Sequence, residues 1–290
     1  MSGELLFQLN ARGQGPGEYT DINAFAVNAS LHQLVIYDNM KQSLMFYSTE
    51  DGRFVKSEKF NKPTPAEIAY WGGYFFYHNR LHRNYQDDIS LHYYLLASKD
   101  GITIGKRYFK HENNKEDYPF SPSGHNLYDN NSKLYYCRDF DNIVYQIHED
   151  SVVPRFRINL PNPLPASMIE ERPNEMSLLR SGYSLGITDI YEYGGLLFFR
   201  FVKDGYIWSC LYNVEESKQV YCAKRIKFLD SSLIDTIDGI YKDCFYSILT
   251  PEYLDYAFSE NPLEDYPDLF KTYDVEGDNP VIAFYRAVVR

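Results

Sequence analysis

Residues 22–60 read INAFAVNASLHQLVIYDNMKQSLMFYSTEDGRFVKSEKF. INAFAV is followed by the turn NASLH, then QLVIYD, then NMK and QSLMFYS. TEDG and RFVKSEKF close the unit. Runs rich in β-branched and aromatic residues, bounded by Asn, Asp, Ser and Gly, read as strands. The unit is therefore a four-strand meander.

The pattern returns along the chain. EIAYW, GYFFYH, SLHYYLLAS and ITIGKRYFK form a second set within 67–110. HNLYD, KLYYCR, NIVYQIHE and SVVPRFRINL form a third within 125–160. SLGITDIYEY, GLLFFRF, GYIWSCLYN and KQVYCAKRIKF form a fourth within 184–228. IDGIYK, DCFYSIL and, after a long insertion, NPVIAFYRAVV form a fifth. Four-strand units recurring at roughly 40–60 residues predict an all-β β-propeller of four-stranded antiparallel blades. About five blades are visible, in one domain over 1–290. A large β-sandwich is the rival fold. Residues 4–8 are expected to supply the outer strand of the last blade. Residues 163–181 read as helical, split at Pro173 into two short helices, and a further helix is expected over 250–258.

Composition agrees with this class. The chain of 290 residues holds 28 Tyr and 19 Phe, so aromatics reach 17%, and these residues suit a pleated, half-buried surface. The formal net charge is −11. No run of Lys and Arg offsets it, which argues against nucleic acid or an anionic membrane as partner. MSGELLFQLNA has no basic leader and only a three-residue apolar run, so it reads as no signal peptide. No segment approaches the roughly 18 apolar residues of a membrane span.

RGQGPGEY at 12–19, followed by INAFAV, LVIYD and LMFYSTEDGRF, resembles a family of six-bladed β-propellers from Gram-negative gut bacteria. Its members carry G-x-GPGE-Y/F between an early blade and the next. GDNPVIAFYRAVV at 277–289 is similar to that family's closing strand. The resemblance implies six blades in the intact protein, an N-terminally truncated chain, and a lipoprotein of the cell envelope or periplasm. It also implies a binding or assembly role.

Motifs for chemistry are few. GQGPG lacks the Gly-Lys-Ser/Thr of a phosphate loop and leads into a strand, so it reads as a joint between blades. Gly182-Tyr-Ser-Leu-Gly186 matches G-x-S-x-G, but a strand follows and no His lies beyond His148, against a hydrolase nucleophile. His78, His82, Asp87, Asp88 and His92 read as a solvated polar loop rather than metal ligands. Cys137, Cys210, Cys222 and Cys244 form no CxxC. Cys210 and Cys222 flank a hairpin turn near 215–218. Two free thiols on neighbouring strands are expected, with a disulfide as the alternative in an oxidising compartment. No catalytic residue, metal or cofactor is expected.

Strands A to D of each blade are numbered from the axis outward. The long segments 78–89, 111–124, 161–183 and 250–278 are then B–C or D–A connections, and all are expected on one face. Together with loop 11–19, that face is expected to bind a ligand through Arg12, Glu18, Tyr19, His78, Arg80, His82, Tyr118, Phe120 and Arg138. A glycan, a peptide or an envelope protein suits such aromatic and guanidinium groups. The alternative is a propeller enzyme, a hydrolase or lyase acting on glycans at the axial channel.

Overall fold

The computed structural model describes residues 7–60, 64–79, 92–111, 121, 124–171, 173–224, 237–260, 273–274 and 279–286. The described residues form five antiparallel sheets in chain order, the blades of an all-β propeller fold. Blade 1 holds β1 (Ile22–Asn28), β2 (Gln33–Asp38), β3 (Ser43–Ser48) and β4 (Phe54–Lys59). Blade 2 holds β5 (Pro65–Trp71), β6 (Tyr74–Asn79), β7 (Tyr93–Ser98) and β8 (Ile104–Lys110). Blade 3 holds β9 (Leu127–Asp129), β10 (Leu134–Tyr136), β11 (Ile143–Ile147) and β12 (Val152–Arg157). Blade 4 holds β13 (Ser184–Tyr193), β14 (Leu196–Lys203), β15 (Tyr206–Asn213) and β16 (Lys218–Ala223). Blade 5 holds β17 (Gly239–Tyr241), β18 (Cys244–Leu249) and β19 (Val281–Tyr285), paired in that order. Residues 4–6 of the expected closing strand lie outside the described residues, and Phe7 and Gln8 belong to no strand.

Burial explains the sequence pattern strand by strand. In blade 1 the first strand alternates exposed and buried residues, the middle strands β2 and β3 are mostly buried, and β4 is largely exposed. Strands covered on both faces read as continuous apolar runs, whereas a half-covered strand alternates. This is why QLVIYD and SLMFYS look apolar throughout.

The chain divides into two compact units, residues 1–119 with 147–153, and residues 120–146 with 154–290. In the first, Ala24, Val35, Tyr37 and Phe46 of blade 1 share a core with Ile68, Phe75, Tyr77 and Leu96 of blade 2. Phe60 lies between, its ring centroid 5.8 Å from Tyr37 and 4.9 Å from Tyr77. In the second, Tyr135, Val144, Ile187, Phe198 and Phe245 belong to one cluster. Blades 3 and 4 are also joined by polar groups. Asn130 Nδ2 donates to the Ile190 carbonyl at 3.1 Å, and Asn130 Oδ1 accepts from Glu192 N at 2.6 Å. The Glu192 carboxylate pairs with Lys133 at 2.7 Å and accepts from the Tyr135 hydroxyl.

The helices form where expected. α1 (Ala166–Glu170) and α2 (Glu175–Leu179) flank Pro173. Asn174 caps α2 by accepting from Ser177 N at 2.9 Å. α3 (Pro251–Glu260) begins with Pro in its first turn, where a missing N–H costs nothing. Leu254 and Ala257 pack it against Leu249, Val281 and Ala283. Among the described residues no helix is long and apolar enough to cross a membrane.

Cys210 and Cys222 sit directly opposite each other in the β15–β16 register and form a disulfide. This corrects the expectation of two free thiols. The hairpin turn was legible, but the register that brings these two side chains face to face was not.

Candidate functional site

The Gly-rich loop is closed on itself. Gly13 N donates to the Tyr19 carbonyl and Tyr19 N to that of Ala11, both at 2.8 Å. The Glu18 carboxylate turns inward and accepts from Gly15 N at 2.7 Å. A Cβ on Gly13 would lie 2.1 Å from Glu18 Oε2, so no side chain fits there beside that carboxylate. Gly17 has φ of 78° and a Cβ on it would lie 2.8 Å from the Phe54 ring. Both its conformation and its contact therefore call for glycine.

Two blade 1 side chains hold the loop. Lys41 Nζ donates to the carbonyls of Glu18 at 2.5 Å and Gly15 at 3.3 Å. The Tyr47 hydroxyl donates to the Gly17 carbonyl at 3.1 Å. Burial, with the charges of Tyr19 and Asp38, pushes that phenol up to about 12. Behind the loop, burial favours a neutral Asp38 carboxyl. Hydrogen bonds from the Thr20 and Lys41 backbone and the Thr20 hydroxyl outweigh it and hold the group below the usual carboxylate range. The Tyr19 side chain packs with Ile36, Met45 and Tyr47. Arg12, Gln14 and Pro16 face solvent.

The remaining expected residues are scattered. His78 is buried within β6, only 2% exposed, rather than presented at the start of a loop. Arg138 lies in the β10–β11 connection, where Nε and Nη2 donate to Asp141 Oδ2 at 3.0 and 2.6 Å. The other Asp141 oxygen accepts from Asn142 N and Ile143 N, so the pair closes a local turn. Arg80, His82, Tyr118 and Phe120 lie outside the described residues, as do Asp87 and Asp88. Among the described residues the structure thus brings together Arg12, Glu18 and Tyr19 only. Ser184, the serine of G-x-S-x-G, is 1% exposed, and its hydroxyl donates to the Pro161 carbonyl. That burial fits no nucleophile.

By strand order the long connections are of B–C or D–A type. With A to D now following chain order, 80–92 and 250–280 are B–C connections, and 111–126 and 158–183 are D–A connections. A fifth long connection, 224–238 and of D–A type, was not anticipated because the fourth blade's last strand ends at Ala223. The A–B and C–D turns are short throughout, 49–53 and 99–103 being the longest. In an antiparallel meander the B–C turn and the exit of strand D leave from one end of the sheet.

No sequence motif pointed to the group where β9, β13 and β17, the first strands of blades 3, 4 and 5, contact one another. β13 carries two register breaks, and Asp189 in the second has φ of 53°. Bulges re-aim side chains, and here Asp189 Oδ2 meets Arg200 Nε at 2.7 Å and accepts from the Thr188 hydroxyl. The Tyr191 hydroxyl donates to the Asp238 carbonyl at 2.9 Å. Burial, then the charges of Asp189 and Asp238, raise this phenol well above its ordinary value. Burial, then the charges of Asp238 and Asp129, also raise Tyr246. Asp129 is exposed at the end of β9, yet burial raises its carboxyl, offset in part by the Asn131 N–H. Among the described residues no group of His, Cys, Asp and Glu is arranged to hold a metal.

A family model described as a domain of unknown function, DUF4934, matches residues 1–286. None of the curated proteins matches. Among solved structures the chain is similar to a Bacteroides fragilis protein titled "Putative exported protein". The two are 18% identical with a TM-score of 0.75, covering 96% of this chain and 80% of that one. It is also similar to a member of the duf4221 family from Bacteroides vulgatus, 11% identical with a TM-score of 0.52, covering 94% and 81%. At these identities the likeness is one of fold.

Proposed function

We propose that this chain, which belongs to the DUF4934 family, is a non-catalytic binding or assembly module of the bacterial cell envelope. Its ligand, a glycan, a peptide or an envelope protein, meets the blade ends bearing loop 11–19 and the segments 78–89, 111–124, 161–183 and 250–278. One observation carries this reading. Every long connection is of B–C or D–A type, while the A–B and C–D turns stay short. Long loops on one side of a rigid scaffold are where binding groups concentrate. Of the proposed contacts, Arg12 faces solvent and Arg138 stands at a B–C connection. Arg80, His82, Tyr118 and Phe120 complete the set by their place in the chain. The exported relative and the disulfide both favour an envelope location.

The intact protein is proposed to be a single six-bladed propeller domain, as the GPGE resemblance implies. Two bare apolar sheet faces support this. On β1, Phe25 and Val27 are 63% and 51% exposed. On blade 5, Ile248, Ile282 and Phe284 stand exposed on one face, at 47%, 53% and 45%.

A second reading is a glycan hydrolase or lyase, with Asp129 at the end of β9, where β9, β13 and β17 contact one another, as its acid. The purified protein screened against glycan and peptide arrays, and assayed for glycan cleavage, separates the two. Saturable binding without turnover, weakened by Arg12→Ala with Arg138→Ala, supports the module. Cleavage abolished by Asp129→Asn would replace it with the enzyme.

A further inference from the structure

The B–C end of blade 4 carries a face with no motif in the sequence. β14 turns into β15 at Asp204–Gly205, and the register sets Lys203 opposite Tyr206 and Phe201 opposite Trp208. Directly opposed residues of an antiparallel pair project to the same side. Phe201 and Trp208 stack, with centroids 6.2 Å apart and planes 10° apart. Tyr206 beside them is 54% exposed. Lys224, the residue after β16, places Nζ 3.4 Å from the Tyr206 centroid and 5.7 Å from that of Trp208.

Three features set this face apart from an ordinary exposed strand end. It presents two aromatic rings side by side, one of them open to solvent. Two cations border them, and neither Lys203 nor Lys224 makes an ion pair among the described residues, in a chain of net charge −11. Finally, Trp208 Nε1 is buried with no hydrogen-bond partner, and such orphan donors call for an explanation.

We propose that Tyr206, Trp208, Lys203 and Lys224 form a subsite for a carboxylate-bearing oligosaccharide. The flat ring of Tyr206 takes the C–H face of a pyranose. The two ammonium groups take the carboxylate. Lys224 rests on the ring because no anion competes for it. An exposed cation–ring contact is weak enough to exchange for an ionic one. A peptide lacks the repeated flat C–H faces that suit this platform. The inference rests on the reading that B–C and D–A ends bind ligand, and names the ligand class at one of them.

The protein has two tryptophans, Trp71 and Trp208, which makes the test direct. Trigalacturonic acid is titrated into the full chain carrying Trp71→Phe, following Trp208 emission and, in parallel, heat. A saturable change in Trp208 emission is expected, with maltotriose, a neutral trisaccharide, giving none. Tyr206→Ala and Lys224→Ala should each weaken binding about tenfold while the melting temperature holds. Heat of binding with Trp208 silent, or unchanged affinity in both variants, overturns this subsite and leaves the wider binding reading standing. No heat and no emission change with trigalacturonic acid also overturns the subsite. The wider reading is judged separately by the array screen.

Discussion

Loop 11–19 and the Lys203–Tyr206 end of blade 4 make opposite use of their residues. The loop has the most conspicuous sequence in the chain, yet nearly every motif residue serves the loop itself. Gly13 makes room for Glu18, Glu18 holds Gly15, Gly17 clears Phe54, and Lys41 ties the carbonyls down. The blade 4 end has no motif, yet it leaves an aromatic ring, two cations and an indole N–H uncommitted by ion pairs or hydrogen bonds among the described residues. Backbone demands leave recognisable spacing in a sequence. Groups left free for a ligand leave none.

The comparison can be broken from either side. The largest effect is expected at Gly17→Val, where a positive φ and the Phe54 contact together should cost about 4 kcal/mol in denaturant unfolding. A loss under about 1 kcal/mol would mean the loop is not the closed structure seen here. Next comes Cys222→Ser. The disulfide closes a hairpin of sequence separation 12, so its loss should cost about 3 kcal/mol and loosen the strand leading to Lys224. Trigalacturonic acid binding should fall with it, while Arg12 stays unaffected.

The blade 3–4 joint gives a pH test. Burial favours a neutral Glu192, but hydrogen bonds from Lys133 and Tyr135 outweigh it and lower the carboxyl below its usual value. A lowered folded-state pKa stabilises above the unfolded value, and that stability is lost as pH falls through the folded one. Glu192→Gln should therefore cost about 2 kcal/mol at neutral pH, with the gap to the parent closing as the solution is acidified below the glutamate range. A gap constant with pH would remove the ion pair from the account. The smallest effects sharpen the contrast within the loop. Glu18→Ala should cost about 1 kcal/mol, and Arg12→Ala less than about 0.5 kcal/mol.

Much of the fold was legible because it is written locally. Strands followed from aromatic and β-branched runs, turns from Asn, Asp and Gly, and the helix break from Pro173. The connection types followed once strands were counted. The sites were harder to see. His78 looked like a loop residue and is core, because where β6 ends depends on its partner β7. Arg138 was expected at a ligand face and also bonds Asp141. Tyr206 and Trp208 looked like ordinary strand aromatics.

The sequence by itself determined the repeated meander, the class of fold, and which connections are long, since period-two patterning and turn chemistry act between near neighbours. Tertiary structure alone decided that Cys210 faces Cys222, that Glu18 turns inward, and that a bulge aims Asp189 at Arg200. It also decided that Asp129, Tyr191, Asp238 and Tyr246 come together near the meeting of β9, β13 and β17. Those outcomes depend on cross-strand register and on packing between blades, and a single residue's shift in register would move each side chain to the opposite face.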